Sequence, residues 1–130
     1  MIGSTQKFER DGLTIQARQA GQAVLVEWRG VSDSRDPAAF LAPYLNRLLA
    51  KLESASVVVD FTRLEYMNSA TVSPIIRFIR DLDETAEDVL VHFSDADWQL
   101  THLRCMKAIA RTLKRVRVEG RSVLTMAPLR

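Results

Sequence analysis

An α/β fold with a mixed sheet of about five strands and helices mainly on one face is what this sequence predicts. Three observations carry the prediction. Near the start, a segment that alternates apolar and polar residues and a second, more apolar strand-like run are set off by glycines, which reads as an antiparallel hairpin. From there on, β-branched runs alternate with stretches whose apolar residues recur at three- and four-residue spacing. That order implies crossover connections and mostly parallel pairing. The length of 130 residues, 47 % of them apolar and 26 % charged, fits one domain over 1–130 with enough material for a core.

The elements follow in the order β β α β α β α β. Leu13-Thr14-Ile15-Gln16-Ala17-Arg18 alternates between Gly12 and Gly21. Ala23-Val24-Leu25-Val26-Glu27-Trp28 is a stronger strand, ended by Gly30, and pairs with the first. Asp36-Pro37 then offers an N-cap and a proline at the first helical position. Leu41, Tyr44, Leu45, Leu48, Leu49 and Leu52 make one apolar helix face behind it. Ser56-Val57-Val58-Val59-Asp60-Phe61 hardly alternates, as expected of a central parallel strand covered on both faces. Residues 63–68 read as a loop or short turn. A second helix carries Val72, Ile75, Ile76, Ile79 and Leu82 on its buried stripe. Val89-Leu90-Val91-His92-Phe93 is the next strand. Ser94 or Asp95 can cap a third helix bearing Leu100, Leu103, Met106, Ile109, Ala110 and Leu113. Val116-Arg117-Val118 is a short last strand. The tail after Gly120 is apolar at Val123, Leu124 and Met126 and has no assignable element.

Composition narrows the function. The chain has one cysteine, so no intrachain disulfide forms, and a lone thiol suits a reducing cytoplasm. The opening residues lack a basic region followed by an apolar run, so no leader is expected. No apolar stretch approaches the ~20 residues that cross a bilayer, so membrane insertion is not expected. A net charge of +2 is too small to imply direct nucleic-acid binding. His92 and His102 are the two histidines. His102-Leu103-Arg104-Cys105 offers two metal ligands at most, where zinc takes three or four. A surface histidine and a buried thiol are the expected roles, with no metal and no cofactor. No Gly-rich phosphate loop, nucleophile elbow or His-Glu-x-x-His motif occurs, and no carboxylate pair sits in an apolar setting. The residues thus offer little support for an enzyme.

Charge is unevenly placed. Residues 81–97 contain seven acidic side chains and no Lys or Arg, whereas 101–121 contain seven basic ones against Glu119. Such a surface can orient a protein partner, or it can be two solvated edges of opposite sign. The richest segment is Tyr66-Met67-Asn68-Ser69-Ala70-Thr71-Val72-Ser73-Pro74, between a buried strand and an amphipathic helix. Pro74 belongs in a first helical turn, which favours Thr71 or Ser73 as the N-cap. Ser69 then stands exposed at or just before a helix N-terminus, a place that tolerates a phosphate. Simple capping is the other reading, since Ser, Thr and Asn are ordinary caps.

The run from Val57 through Asp60-Phe61-Thr62 to Asn68-Ser69-Ala70 resembles the signature of STAS domains, the sulfate-transporter and anti-sigma-factor-antagonist family. Gly30-Val31-Ser32-Asp33 is similar to that family's Gly-x-Leu-Asp loop, and the element order agrees over most of the chain. The resemblance implies a single-domain, cytoplasmic bacterial partner switch. Such a protein binds a GHKL-type serine kinase that doubles as an anti-sigma factor, is phosphorylated by it, and is restored by a PP2C-type phosphatase. Ser69 matches the phosphorylated serine and Asp33 an acidic neighbour. Asn68 stands where the family usually has Asp, Ala70 where a second Ser or Thr is frequent, and Thr71 where Gly is usual. The expected contact set is Asp33, Asn68, Ser69, Ala70, Thr71, Arg77 and Arg80. A second reading keeps the fold but makes the chain a constitutive subunit of a transport ATPase complex.

Overall fold

Alternating burial along the strands sets the architecture. The computed structural model describes residues 4–121, so Val123, Leu124 and Met126 lie outside the described residues. The elements are β1 (Gln6–Arg10), β2 (Leu13–Ala20), β3 (Ala23–Ser32), α1 (Ala38–Lys51), β4 (Ser56–Asp60), β5 (Leu64–Met67), α2 (Ser69–Thr85), β6 (Asp88–Ser94), α3 (Asp97–Ala110) and β7 (Val116–Arg121). Val24, Val26 and Trp28 of β3, Val57 and Val59 of β4, and Val89, Val91 and Phe93 of β6 are buried on one face. Leu41, Leu45 and Leu48 of α1, Ile75, Phe78 and Ile79 of α2, and Leu103 and Met106 of α3 complete that core.

The sheet has seven strands among the described residues, in the order β1-β2-β3-β4-β6-β7 with β5 beside β3. β1, β2 and β3 are antiparallel, and β3, β4, β6 and β7 are parallel. Two strands exceed the sequence expectation of about five. β1 folds back on β2 through Asp11-Gly12, whose φ values of 50° and 90° are those of a type I′ hairpin. β5, expected as a loop, takes up the end of β3 beyond β4, pairing with Gly30–Ser32 across a register shift. The expectation that β4 is covered on both faces also fails. β4 is central and parallel, but Val58 is only half-buried, because no helix among the described residues lies over that side.

The helix boundaries differ in instructive ways. Pro37 stands at the cap position of α1 and Asp36 contributes its carbonyl, not its side chain, to the first turn. α3 starts after Ala96, and Ser94 Oγ accepts the Ala96 N–H at 3.0 Å. In α2 the buried stripe is Thr71, Ile75, Phe78, Ile79 and Leu82. Val72 and Ile76, expected inside, are only half-buried: they pack against the margin of the core and also border solvent.

The acidic and basic segments touch at the C-terminal end of α2. Asp83 is buried, and its carboxylate accepts the backbone N–H groups of Lys114 and Arg115 at 3.0 and 2.6 Å. Arg115 Nη1 donates to the carbonyls of Asp83, Glu84 and Ala86 at 3.2–3.3 Å. Part of the charge asymmetry is thus an internal clasp between α2 and the turn into β7.

Gly30 is required by space as well as by dihedral. Its φ is +87°, and a Cβ there would collide with the Gly12 carbonyl oxygen, which also accepts the Val31 N–H at 3.1 Å. Gly30→Ala is expected to cost about 2–4 kcal/mol, since strain and a backbone collision add. Urea unfolding checks this; an unchanged midpoint would mean the β2–β3 edge shifts freely.

Candidate functional site

Asn68 builds the N-terminal end of α2, where the candidate residues gather. It takes the cap position with extended backbone, φ −81° and ψ 171°. Its Oδ1 accepts the Thr71 N–H at 3.1 Å and the Thr71 hydroxyl at 2.7 Å. Its Nδ2 donates to the Ser34 carbonyl at 2.8 Å, and its backbone N–H donates to the Ser32 carbonyl at 2.9 Å. One side chain therefore caps the helix and clasps the 32–34 loop against it. An aspartate could accept from Thr71 but has no amide hydrogen for Ser34. The asparagine in place of the family's usual Asp thus has a local structural reason.

The cap expected at Thr71 or Ser73 is instead Asn68, and Pro74 lies in the second turn, not the first. Its missing N–H leaves the carbonyl of Ala70 without a helical donor, at an exposed residue where water can substitute. Thr71 needs a second correction. It is fully buried, at 0 % exposure. Its hydroxyl proton goes to Asn68, so Ser32 Oγ donates to Thr71 Oγ1 across 2.8 Å. Thr71 therefore supports the site from within and cannot reach a partner.

The other expected contacts are accessible. Ser69 is the first residue of α2 and is exposed, as are Ala70, Asp33, Arg77 and Arg80, while Asn68 is half-buried. Ser69 shares a shallow groove along the outer side of α2 with Val72, Ile76, Arg77 and Arg80. Asn68 brings the loop bearing Asp33 to the same end. Arg77 pairs only loosely with Asp81, at 3.8 Å and 83 % side-chain exposure, so its charge is available to a partner. A hollow of about 350 Å³ between α1 and α2, lined by Ala42, Leu45, Ser73, Pro74 and Phe78, adjoins this groove.

Two features escaped the sequence reading. Gln99 is buried at 1 % exposure, and its amide spans three backbone groups. Its signal was present: 99, 103 and 106 fall on one helical stripe, so a polar residue occupies a core position. Tyr66 is 48 % exposed just before the site and lies 6.3 Å from the ring of Trp98.

Cys105, expected as a buried thiol, is exposed. Among the described residues no three His, Cys, Asp or Glu side chains gather as a metal would require. No helix among them is long and apolar enough to cross a membrane. His92 sits half-buried with Nε2 3.6 Å from Glu119 Oε1. Burial first, and then the Arg121 charge, hold its pKa below the ordinary 6.5, against the opposing pull of Asp60 and Glu119. His102 is lowered too, by burial. A histidine with a lowered folded pKa binds fewer protons folded than unfolded, so stability rises with pH through that window. The melting temperature is expected to fall as pH drops from 6.5 toward the folded values. His92→Gln should flatten that fall, and an unchanged profile would contradict the assignment.

No protein-family model matches the chain. No curated protein matches it either. Among solved structures, an uncharacterised protein of the DUF3478 family from Shewanella loihica PV-4, described as having a SpoIIAA-like fold, aligns with a TM-score of 0.55. The match covers 89 % of this chain and 90 % of that one at 11 % identity, so it speaks for the fold alone. The chain has a SpoIIAA-like fold, the architecture that its resemblance to STAS domains implies.

Proposed function

We propose that the chain is a non-enzymatic, protein-binding switch of the anti-sigma-factor-antagonist kind, acting in a bacterial cytoplasm. In its free form it binds a GHKL-type serine kinase through the Ser69 end of α2. Phosphorylation of Ser69 releases the partner, and a PP2C-type phosphatase resets the switch. The observation that carries this reading is the exposed Ser69 at the first position of α2. It lies on one groove with two aliphatic side chains and two arginines. Half-buried Val72 and Ile76 give that groove an apolar centre with a charged rim, the composition of a protein interface.

Arg77→Glu with Arg80→Glu is expected to weaken partner binding about tenfold or more, mainly through slower association. Stopped-flow binding checks this. Unchanged rates would move the interface elsewhere, for instance to the basic 104–121 stretch. The reading itself is tested by the intact mass of the chain expressed beside its genomic neighbours. One added phosphoryl group that disappears in Ser69→Ala supports it. An unmodified chain that still copurifies with a permease and an ATPase supports the constitutive-subunit reading instead.

A further inference from the structure

The sheet face opposite the helices carries an ordered row of polar side chains. Strand register sets Gln16, Glu27, Asp60, His92 and Glu119 side by side across β2, β3, β4, β6 and β7. Each alternates with core positions and therefore projects from the open face. Glu27 and Asp60 are only 7 % and 8 % exposed, although no helix among the described residues covers them. Glu27 is neutralised: Arg29 Nη2 lies 3.0 Å and Arg63 Nε 3.5 Å from its two oxygens.

The remaining charges are not matched. Asp60 Oδ1 accepts the Thr62 N–H at 2.8 Å and the Thr62 hydroxyl at 2.6 Å, but among the described residues Asp60 has no ion pair and Oδ2 no partner. Arg18 and Arg121 have no ion pair among the described residues either. All three line one hollow of about 360 Å³, together with His92 and the aliphatic Leu25 and Val58. That volume is in the range of small-molecule sites, about 300–1,000 Å³.

We infer that this hollow binds a small organic anion that also carries hydroxyl groups. A phosphate or carboxylate group is held by Arg18, whose guanidinium fork suits it and which stands beside Leu25 and Val58, while Arg121, four strands away on β7, attracts the anion from the other end of the hollow. Hydroxyls of the same molecule donate to Asp60 Oδ2, which a bare anion would leave unsatisfied and would be repelled by. The carbon skeleton rests on Leu25 and Val58. A cation is disfavoured by the two arginines, and a neutral sugar leaves them unpaired. The site is independent of the Ser69 switch, because α2 packs on the other face of the sheet, and either can fail without the other.

The test is a titration of the chain with glucose 6-phosphate, gluconate, glucose and inorganic phosphate, followed by calorimetry and backbone-amide NMR shifts. One or both organic anions are expected to bind saturably, about tenfold or more tighter than inorganic phosphate or glucose, the factor one well-made polar contact supplies. Which of the two binds identifies the head group. Shifts should centre on Arg18, Asp60, His92 and Arg121. Arg18→Ala combined with Arg121→Ala should weaken binding about a hundredfold, and Arg18→Glu alone at least about tenfold. Arg18 is exposed, so the melting temperature of Arg18→Glu should stay native. The inference is overturned if neither organic anion saturates. It is equally overturned if inorganic phosphate or glucose binds as tightly, or if folded Arg18→Glu binds as well as the parent.

Discussion

Gln99→Leu is expected to remove about 2–6 kcal/mol of stability, because two buried backbone groups, the Ser94 N–H and the Leu64 carbonyl, lose their partner at about 1–3 kcal/mol each, while the Phe61 carbonyl keeps the Leu64 N–H at 3.0 Å. Gln99 Oε1 accepts the Ser94 N–H at 2.6 Å, and its Nε2 donates to the carbonyls of Phe61 and Leu64, each at 2.9 Å. The side chain thus ties three elements together: the end of β6, the turn after β4 and the start of β5. Leucine fills a similar volume, so the loss is polar and not a cavity effect. For a domain with a margin of about 5–15 kcal/mol this is a large share. The consequence reaches the site, because β5 is the strand that delivers Asn68 and Ser69. Urea unfolding, with hydrogen exchange at Leu64–Asn68, measures both effects. A loss below about 1 kcal/mol would show that water replaces the amide.

How much of this was legible follows from where the signals lie. The β2–β3 hairpin, the three helices and the parallel strands could be read because periodicity and glycine punctuation are local. β5 could not. Leu64-Glu65-Tyr66-Met67 is four residues long, and its pairing depends on β3 continuing past β4, a fact of tertiary length. β1 was missed although Asp11-Gly12 is a strong hairpin signal, because Gln6–Arg10 is polar and nowhere fully buried. The rotation of the α2 stripe, which hides Thr71 and leaves Val72 and Ile76 at the margin of the core, follows from a cap at Asn68. The proline had pointed further along the chain. Ser69, Arg77 and Arg80 on one exposed side were legible from helical spacing. The clasp from Asn68 to the 32–34 loop was not, because it joins residues 34 apart in sequence.

Ser69→Asp is expected to weaken partner binding about 5- to 150-fold, the range of couplings worth ~1–3 kcal/mol, while leaving the fold intact. Phosphorylation adds about −1.5 to −2 charges. At the N-terminal turn of α2, which carries no acidic side chain, that charge meets a favourable helix dipole, so the domain itself changes little. The penalty falls on the interface. A contact shaped around a hydroxyl must desolvate a dianion, and exposed Asp33 and Glu65 add like charge at the same end. Ser69→Ala keeps the small, uncharged surface and should hold the partner as the free form does.

Titration of the cognate kinase, without ATP, into Ser69→Ala, Ser69→Asp and the parent chain tests the switch most directly. Phosphosite mapping after incubation with ATP belongs to the same experiment. The account expects Ser69→Ala to match the parent, Ser69→Asp to bind at least about fivefold more weakly, and the phosphate to map to Ser69. Equal binding by all three chains, or phosphate on Ser73 instead, would contradict it.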